Sequence, residues 1–152
     1  MMTSREAQLL DTIDHIQKVQ LYLQQIIDDL QSRLLVHDRS KLLPPELDGY
    51  AGLSDAVRGL KYGTDEYRAA FEPFKIIIKH HYEANDHHPE HFQSGIAGMD
   101  MLQIIEMVAD WKAASTRNSD ALTPSLDASF KRFGIDDQLG LIIRNTVTVL
   151  GW

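Results

Sequence analysis

Residues 4–35, SREAQLLDTIDHIQKVQLYLQQIIDDLQSRLL, decide the fold class. Ile13, Ile16, Leu23, Ile27 and Leu30 recur at steps of three, seven, four and three with polar residues between them, the spacing of one helical face rather than the alternation of a strand. The stretch predicts one long helical region, as a single helix or as two joined at a kink, with Ser4 as candidate N-cap. Leu42-Leu43-Pro44-Pro45 interrupts the pattern, because proline lacks an amide proton and restricts its predecessor. Pro45 and Glu46 can then open a short helix, and Asp48 to Gly63 reads mostly as loop. A helix is expected from Thr64 to about Glu83, bent or delayed by Pro73. Residues 84–98 carry Asn, Asp, Pro and Gly and read as loop. Asp100 is the candidate cap of a helix over 101–116, and two more follow near 125–133 and 136–150, with Gly134 as the stop between them. No convincing period-two alternation is present. The expectation is all-α, a compact helical bundle, in one domain spanning 1–152.

Composition narrows the function classes. A chain of 152 residues suits a single core, and 43% hydrophobic with 24% charged residues is ordinary for a globular protein rather than a disordered one. No apolar run approaches the roughly 18 residues of a membrane span. The N-terminus lacks the basic-then-apolar order of a secretory signal, so no membrane partner is expected. The absence of cysteine excludes disulfide scaffolds, cysteine zinc sites, iron–sulfur clusters and thiol nucleophiles, and fits a reducing cytoplasm. A net charge of −7 argues against a surface that tracks duplex nucleic acid. Oligomeric state stays open; Val147, Val149, Leu150 and Trp152 can pack on the domain or on a second subunit of a homo-oligomer. Histidine stands out: five of the seven fall between His80 and His91.

Ionisable residues sit near the apolar faces. His15 lies in line with Val19, Tyr22 and Ile26, and His81 with Phe74, Ile77 and Ile78. His37 and Asp38 follow the apolar run Leu34-Leu35-Val36, and Asp110 follows Met107-Val108-Ala109. Each has a plain reading: a helical histidine with a satisfied hydrogen bond, an aspartate that caps a helix, a solvated histidine loop, an aspartate paired with a base. Burying them together without partners costs several kcal/mol. A shared divalent metal satisfies them jointly, because imidazole nitrogen and carboxylate oxygen are good ligands for first-row metals.

The order of His15, His37-Asp38, His80-His81 and Val108-Ala109-Asp110 resembles the HD-domain superfamily of metal-dependent phosphohydrolases. His37-Asp38-Arg39-Ser40-Lys41 is similar to its His-Asp-x-x-Lys signature, with Ser40 where many members have glycine. Val108-Ala109-Asp110 with Ala113-Ala114 is similar to its aspartate helix. His80-His81-Tyr82-Glu83 and His87-His88-Pro89 resemble the histidine segment of its two-metal branch, without that branch's glycine. The resemblance covers about residues 9–118. The pattern from Asn85 to Phe92, with Arg132-Phe133-Gly134, looks most like a small phage-associated HD-like family with no assigned activity.

The resemblance implies a first metal held by His15, His37, Asp38 and Asp110. It implies a second held by His80, His81 and His88, with His87 as a substitute and Asp38 as the bridge. Mn, Fe, Zn, Co or Ni fit such donors, and Mg is not excluded. A bound divalent metal lowers the pKa of its water and neutralises phosphoryl charge. The expected function is hydrolysis of a phosphoester of a small nucleotide, as phosphodiesterase or nucleotidase, in the cytoplasm of a bacterial or phage-infected cell. Lys41, a turn beyond Asp38, is expected to hold a phosphate oxygen, with Lys112 and Arg117 as further candidates. Glu83 or Glu106 is expected to orient a histidine or accept a proton. No acid stands between Asp38 and Glu46, unlike many single-metal nucleotidases of the superfamily. Trp111 and Phe92 are candidates for stacking on a base. Two alternatives use the same residues: a di-iron oxygenase of HD type, and a metal-containing protein that binds a nucleotide without turnover.

Overall fold

Helix α1, Ser4–Val36, is a single helix of 33 residues. Its cap lies one residue before the expected Ser4. Thr3 Oγ1 accepts from the Glu6 amide at 3.2 Å, and Glu6 Oε2 accepts from the Thr3 amide at 2.7 Å. This reciprocal pair satisfies two amides that the first turn leaves free, so Thr3-x-x-Glu6 is a capping box. The computed structural model describes residues 2–61, 63–117 and 122–152, apart from the side chains of 117, 123 and 124. It divides into two units, 1–36 and 37–152. The described residues are helical or irregular and contain no strand, so the fold is all-α. None of the described helices is long and apolar enough to cross a membrane.

In the second unit a short 3-10 turn, Arg39–Leu42, precedes α2, Glu46–Ala56. The expected loop from Asp48 is therefore half helix. Gly49 and Gly52, which lowered the helical reading, are there to let α4 approach. A Cβ on Gly49 would lie 2.5 Å from Ile77 Cγ1, and one on Gly52 would lie 3.0 Å from Phe74 Cε1. Helix α3, Asp65–Phe71, is capped by Thr64, whose side chain accepts from the Tyr67 amide. Pro73 sits in a 3-10 turn, Glu72–Phe74, which separates α3 from α4, Lys75–Ala84, so the expected helix over 64–83 is two.

Helices α5, Met101–Arg117, α6, Leu122–Phe133, and α7, Asp137–Leu150, build the core of this unit. Ile104, Met107 and Val108 of α5 pack with Leu122 and Leu126 of α6 and Ile143 and Val147 of α7. Asp100 Oδ1 accepts from the amides of Leu102 and Gln103, while Gln103 Oε1 accepts from the Asp100 amide. Gly134, at φ 64°, separates α6 from α7 in the left-handed conformation that suits glycine.

Gly49→Ala tests the α2–α4 contact. Ile77 is β-branched and stiff, so the new methyl forces a shift, and a loss of about 1–3 kcal/mol in urea unfolding is expected. Unchanged stability would mean that the two helices part without cost.

Candidate metal centre

The site is built on the turn after His37, on α4, on the segment 85–91 and on α5. Asp38 has φ 55° and ψ 15°, the one positive-φ residue other than glycine among the described residues. A left-handed aspartate costs of the order of 1–3 kcal/mol and persists where its surroundings hold it. Here the backbone holds it: the Lys41 amide donates to the Asp38 carbonyl at 2.9 Å. Lys41 Nζ donates to Asp38 Oδ2 at 2.6 Å from the following turn.

The carboxylate faces two sets of donors. On one side, His37 Nε2 lies 3.6 Å from Asp38 Oδ2 and 3.8 Å from Asp110 Oδ1. On the other, Asp38 Oδ1 lies 3.4 Å from His81 Nε2 and 3.6 Å from His87 Nε2, and His81 Nε2 lies 2.8 Å from His88 Nε2. His37, Asp38 and Asp110 can hold a metal ion, and so can Asp38, His81, His87 and His88. The second group fits the test of burial. Asp38 Oδ1 and His87 Nε2 are buried and have no hydrogen-bond partner, although they point at each other across 3.6 Å. Ligands about 2.0–2.1 Å from a tetrahedral ion stand about 3.3 Å apart, close to the 3.4 and 3.6 Å from Asp38 Oδ1, whereas the 2.8 Å between His81 Nε2 and His88 Nε2 is a hydrogen bond that an ion would replace.

The outer nitrogens of His37, His81 and His87, and of the neighbouring His80, lie against carboxylates. His37 Nδ1 is 2.8 Å from Glu106 Oε1, and His87 Nδ1 is 3.3 Å from the same oxygen. His81 Nδ1 is 2.9 Å from Glu46 Oε2, and His80 Nδ1 is 2.8 Å from Glu46 Oε1. Glu46 is fully buried, and Ser40 Oγ also donates to it at 3.0 Å. Asn85 Nδ2 donates to Ser40 Oγ at 2.8 Å and to the His81 carbonyl at 2.8 Å. A carboxylate on Nδ1 keeps that nitrogen protonated and leaves Nε2 with its lone pair free.

The charges agree with that assignment. Burial lowers the pKa of His81, helped by the Lys41 charge and opposed by Glu46 and Asp38. Burial likewise lowers His87, against the pull of Glu106. Burial, with the neighbouring His87 and His81, pushes His88 down to about 3. All three are neutral bases at physiological pH, the form that binds a cation. Burial works to raise Asp38, but the Lys41 hydrogen bond and charge, with His37 and His81, hold it below the usual carboxylate range. Glu46 is held low as well, since its bonds to His80, His81 and Ser40 outweigh its burial. Burial and the charges of Glu46 and Asp38 push the Tyr50 phenol up, and the Tyr50 ring lies 5.6 Å from Lys41 Nζ.

Of the residues expected from the sequence, His37, Asp38 and Asp110 come together, as do Asp38, His81 and His88. His87, the substitute, lies in the second group, while His80 is exposed and turned to Glu46. Glu83 is exposed and paired with Lys79 one turn before it, whereas Glu106 takes the orienting position. His91 is exposed and bonded to the Tyr82 carbonyl, and Arg39 is exposed. His15 belongs to the other unit, on an exposed stretch of α1. Trp111 stacks on Phe133 at 5.8 Å and packs against the core. The Arg117 side chain lies outside the described residues. Glu46 was missed as a site residue. It stands 34 and 35 residues before the histidines it contacts, and no local spacing signals it; its only cue is its place behind Pro44-Pro45 at a helix start.

The chain belongs to a family of unknown function (DUF5662), whose profile matches residues 4–149. No curated protein and no solved structure matches it.

Asp38→Ala is expected to remove bound metal while circular dichroism stays helical; unchanged metal content by elemental analysis would overturn the ligand set. Glu106→Ala, which leaves both Nδ1 protons without their acceptor, is expected to weaken metal affinity about 10–100-fold in a chelator competition.

Proposed function

We propose that this member of a family of unknown function is a metal-dependent phosphohydrolase acting on a phosphoester of a small nucleotide. The observation that carries the reading is the pair of buried, unpartnered atoms, Asp38 Oδ1 and His87 Nε2, set among neutral imidazoles with an ammonium group beside them. His37, Asp38 and Asp110 would hold one ion, and Asp38, His81, His87 and His88 a second, with one Asp38 oxygen toward each. Such donors, rich in imidazole and free of thiolate, suit Mn, Fe, Zn, Co or Ni better than Mg. The resemblance to HD-domain phosphohydrolases supports the reading. A divalent metal bound there supplies Lewis acidity toward a phosphoryl oxygen and a water of lowered pKa.

The chain's own groups do the rest. Lys41 is about one-third exposed, so its ammonium reaches solvent while tied to Asp38. It can take a phosphate oxygen as a charged donor without leaving the site. Glu46 and Glu106 hold the rings so that each Nε2 faces inward. Asp110 is partly exposed, which leaves one side of the first group open to a ligand.

The test is a panel of nucleoside monophosphates, cyclic nucleotides and simple phosphodiesters, run with the metal found by elemental analysis. Turnover of at least one class is expected, and a metal-loaded protein inert to all of them would overturn the proposal. Lys41→Ala is expected to keep its metal and lose about 1.5–3 kcal/mol of transition-state stabilisation, roughly 10–150-fold in kcat/KM. An unaltered rate would mean that Lys41 does not touch the substrate.

A further inference from the structure

Helix α1 has no buried residue along its 33. Helical sequences in water owe most of their stability to packing of an apolar face, so a helix of this length needs a surface to pack on. Its apolar residues follow a heptad. Leu9, Ile16, Leu23 and Leu30 fall seven apart, and Ile13, Gln20, Ile27 and Leu34 fall seven apart, four residues behind them. The first series occupies d and the second a, so seven of the eight seam positions are apolar over four heptads. Leu9, Ile13, Ile16, Leu23, Ile27 and Leu34 are between 41% and 76% exposed.

The charges show what covers the seam. Asp11, Asp14, Lys18, Asp28 and Asp29 all fall at outward positions b, c and f, and Asp14 pairs with Lys18 across the outer face. The flanking e positions are Leu10, Gln17, Gln24 and Gln31 and the g positions are Thr12, Val19, Ile26 and Arg33, so a second copy in parallel brings no two like charges together across the seam. Ile at a with Leu at d is the pairing of two-stranded parallel coils, and a single polar residue at a fixes register. Parallel and in register, Gln20 meets Gln20 of the second copy and the two amides can bond each other. Antiparallel, with Leu9 facing Leu34, Gln20 would face Leu23 and its amide would be buried unsatisfied. From Leu9 to Leu34 the strip is about 38 Å long and about 10 Å wide, roughly 800 Å² over two helices, below the ~1,000 Å² of a standard interface and in the range of a weak, concentration-dependent one.

We propose that α1 is a dimerisation helix that pairs in parallel and in register with α1 of a second copy through the Leu9–Leu34 seam. His15, at an outward c position, stays uncovered by the pairing.

The full chain is expected to sediment at twice 17.3 kDa at micromolar concentration. Leu23→Asp, in the seam, is expected to give a monomer, and Leu21→Gln, at outward position b, to leave the dimer intact. A monomeric wild type, or a dimer that survives Leu23→Asp, would overturn the proposal. Orientation is read independently of folding losses, because the chain has no cysteine. Ile13→Cys is expected to form a disulfide-linked dimer on mild oxidation and Leu21→Cys is not. Failure of Ile13→Cys to cross-link would overturn the parallel register.

Discussion

One carboxylate, held in an unfavourable backbone conformation, organises the site. Asp38 is left-handed, and an aspartate adopts that conformation at a cost that its neighbours must offset. The turn that follows does so: the Lys41 amide donates to the Asp38 carbonyl at 2.9 Å, and Lys41 Nζ donates to Asp38 Oδ2 at 2.6 Å. The result is a side chain whose two oxygens face different partners: Oδ2 the lysine and His37, Oδ1 the buried rings of His81 and His87. An ordinary helical or extended aspartate next to His37 would not hold the two oxygens in these places. The backbone conformation and the donor arrangement are one feature.

The histidines depend in turn on acids that bind their Nδ1 atoms. Glu46 and Glu106 each serve two rings, so four imidazoles are oriented by two carboxylates. This arrangement resolves a conflict. Burial alone favours neutral imidazoles, whereas an acid next to each ring favours the charged form. Burial wins at His81, His87 and His88, and at His81 and His87 the acids act chiefly through direction, binding Nδ1 and leaving Nε2 for the centre. The cluster is therefore rich in acids at its periphery and supplied with neutral nitrogen bases at its centre, which is the combination a cation requires.

Much of this was legible from residue order. Helical spacing alone gave the all-α class, and the caps at Thr64 and Asp100 and the stop at Gly134 follow from side-chain chemistry that acts within three residues. His37-Asp38 and Asp110 were legible as a set through their joint order, which resembles that of the HD-domain superfamily; the apolar run before each is a weak signal alone. What distance along the chain hides was not legible. Glu46 reads as a helix opener because its partners are more than thirty residues away, and His80 and His81, adjacent in sequence, differ only in which way α4 faces. The choice of His87 over His80 is likewise made by the path of the segment after Ala84, where Asn85 bonds back to the His81 carbonyl. Gly49 and Gly52 misled the helical reading because glycine weakens helix propensity, yet close packing against Ile77 and Phe74 requires it.

Helix α5 ties this arrangement to the stability of the second unit. Ile104, Met107 and Val108 face the core with α6 and α7, while Glu106 and Asp110, four apart, share the face toward His37. A helix that buries one face in a packed core has little freedom to rotate or slide. The two acids are therefore delivered to the site by a helix packed into the core, whereas Asp38 reaches it from a turn and His87 and His88 from an irregular segment. Precision at the centre is supplied from the α5 side and adaptability from the other. Substitutions in the α5–α7 core can therefore change the site without touching it, because any shift of Met107 or Val108 moves Glu106 and Asp110 along with them.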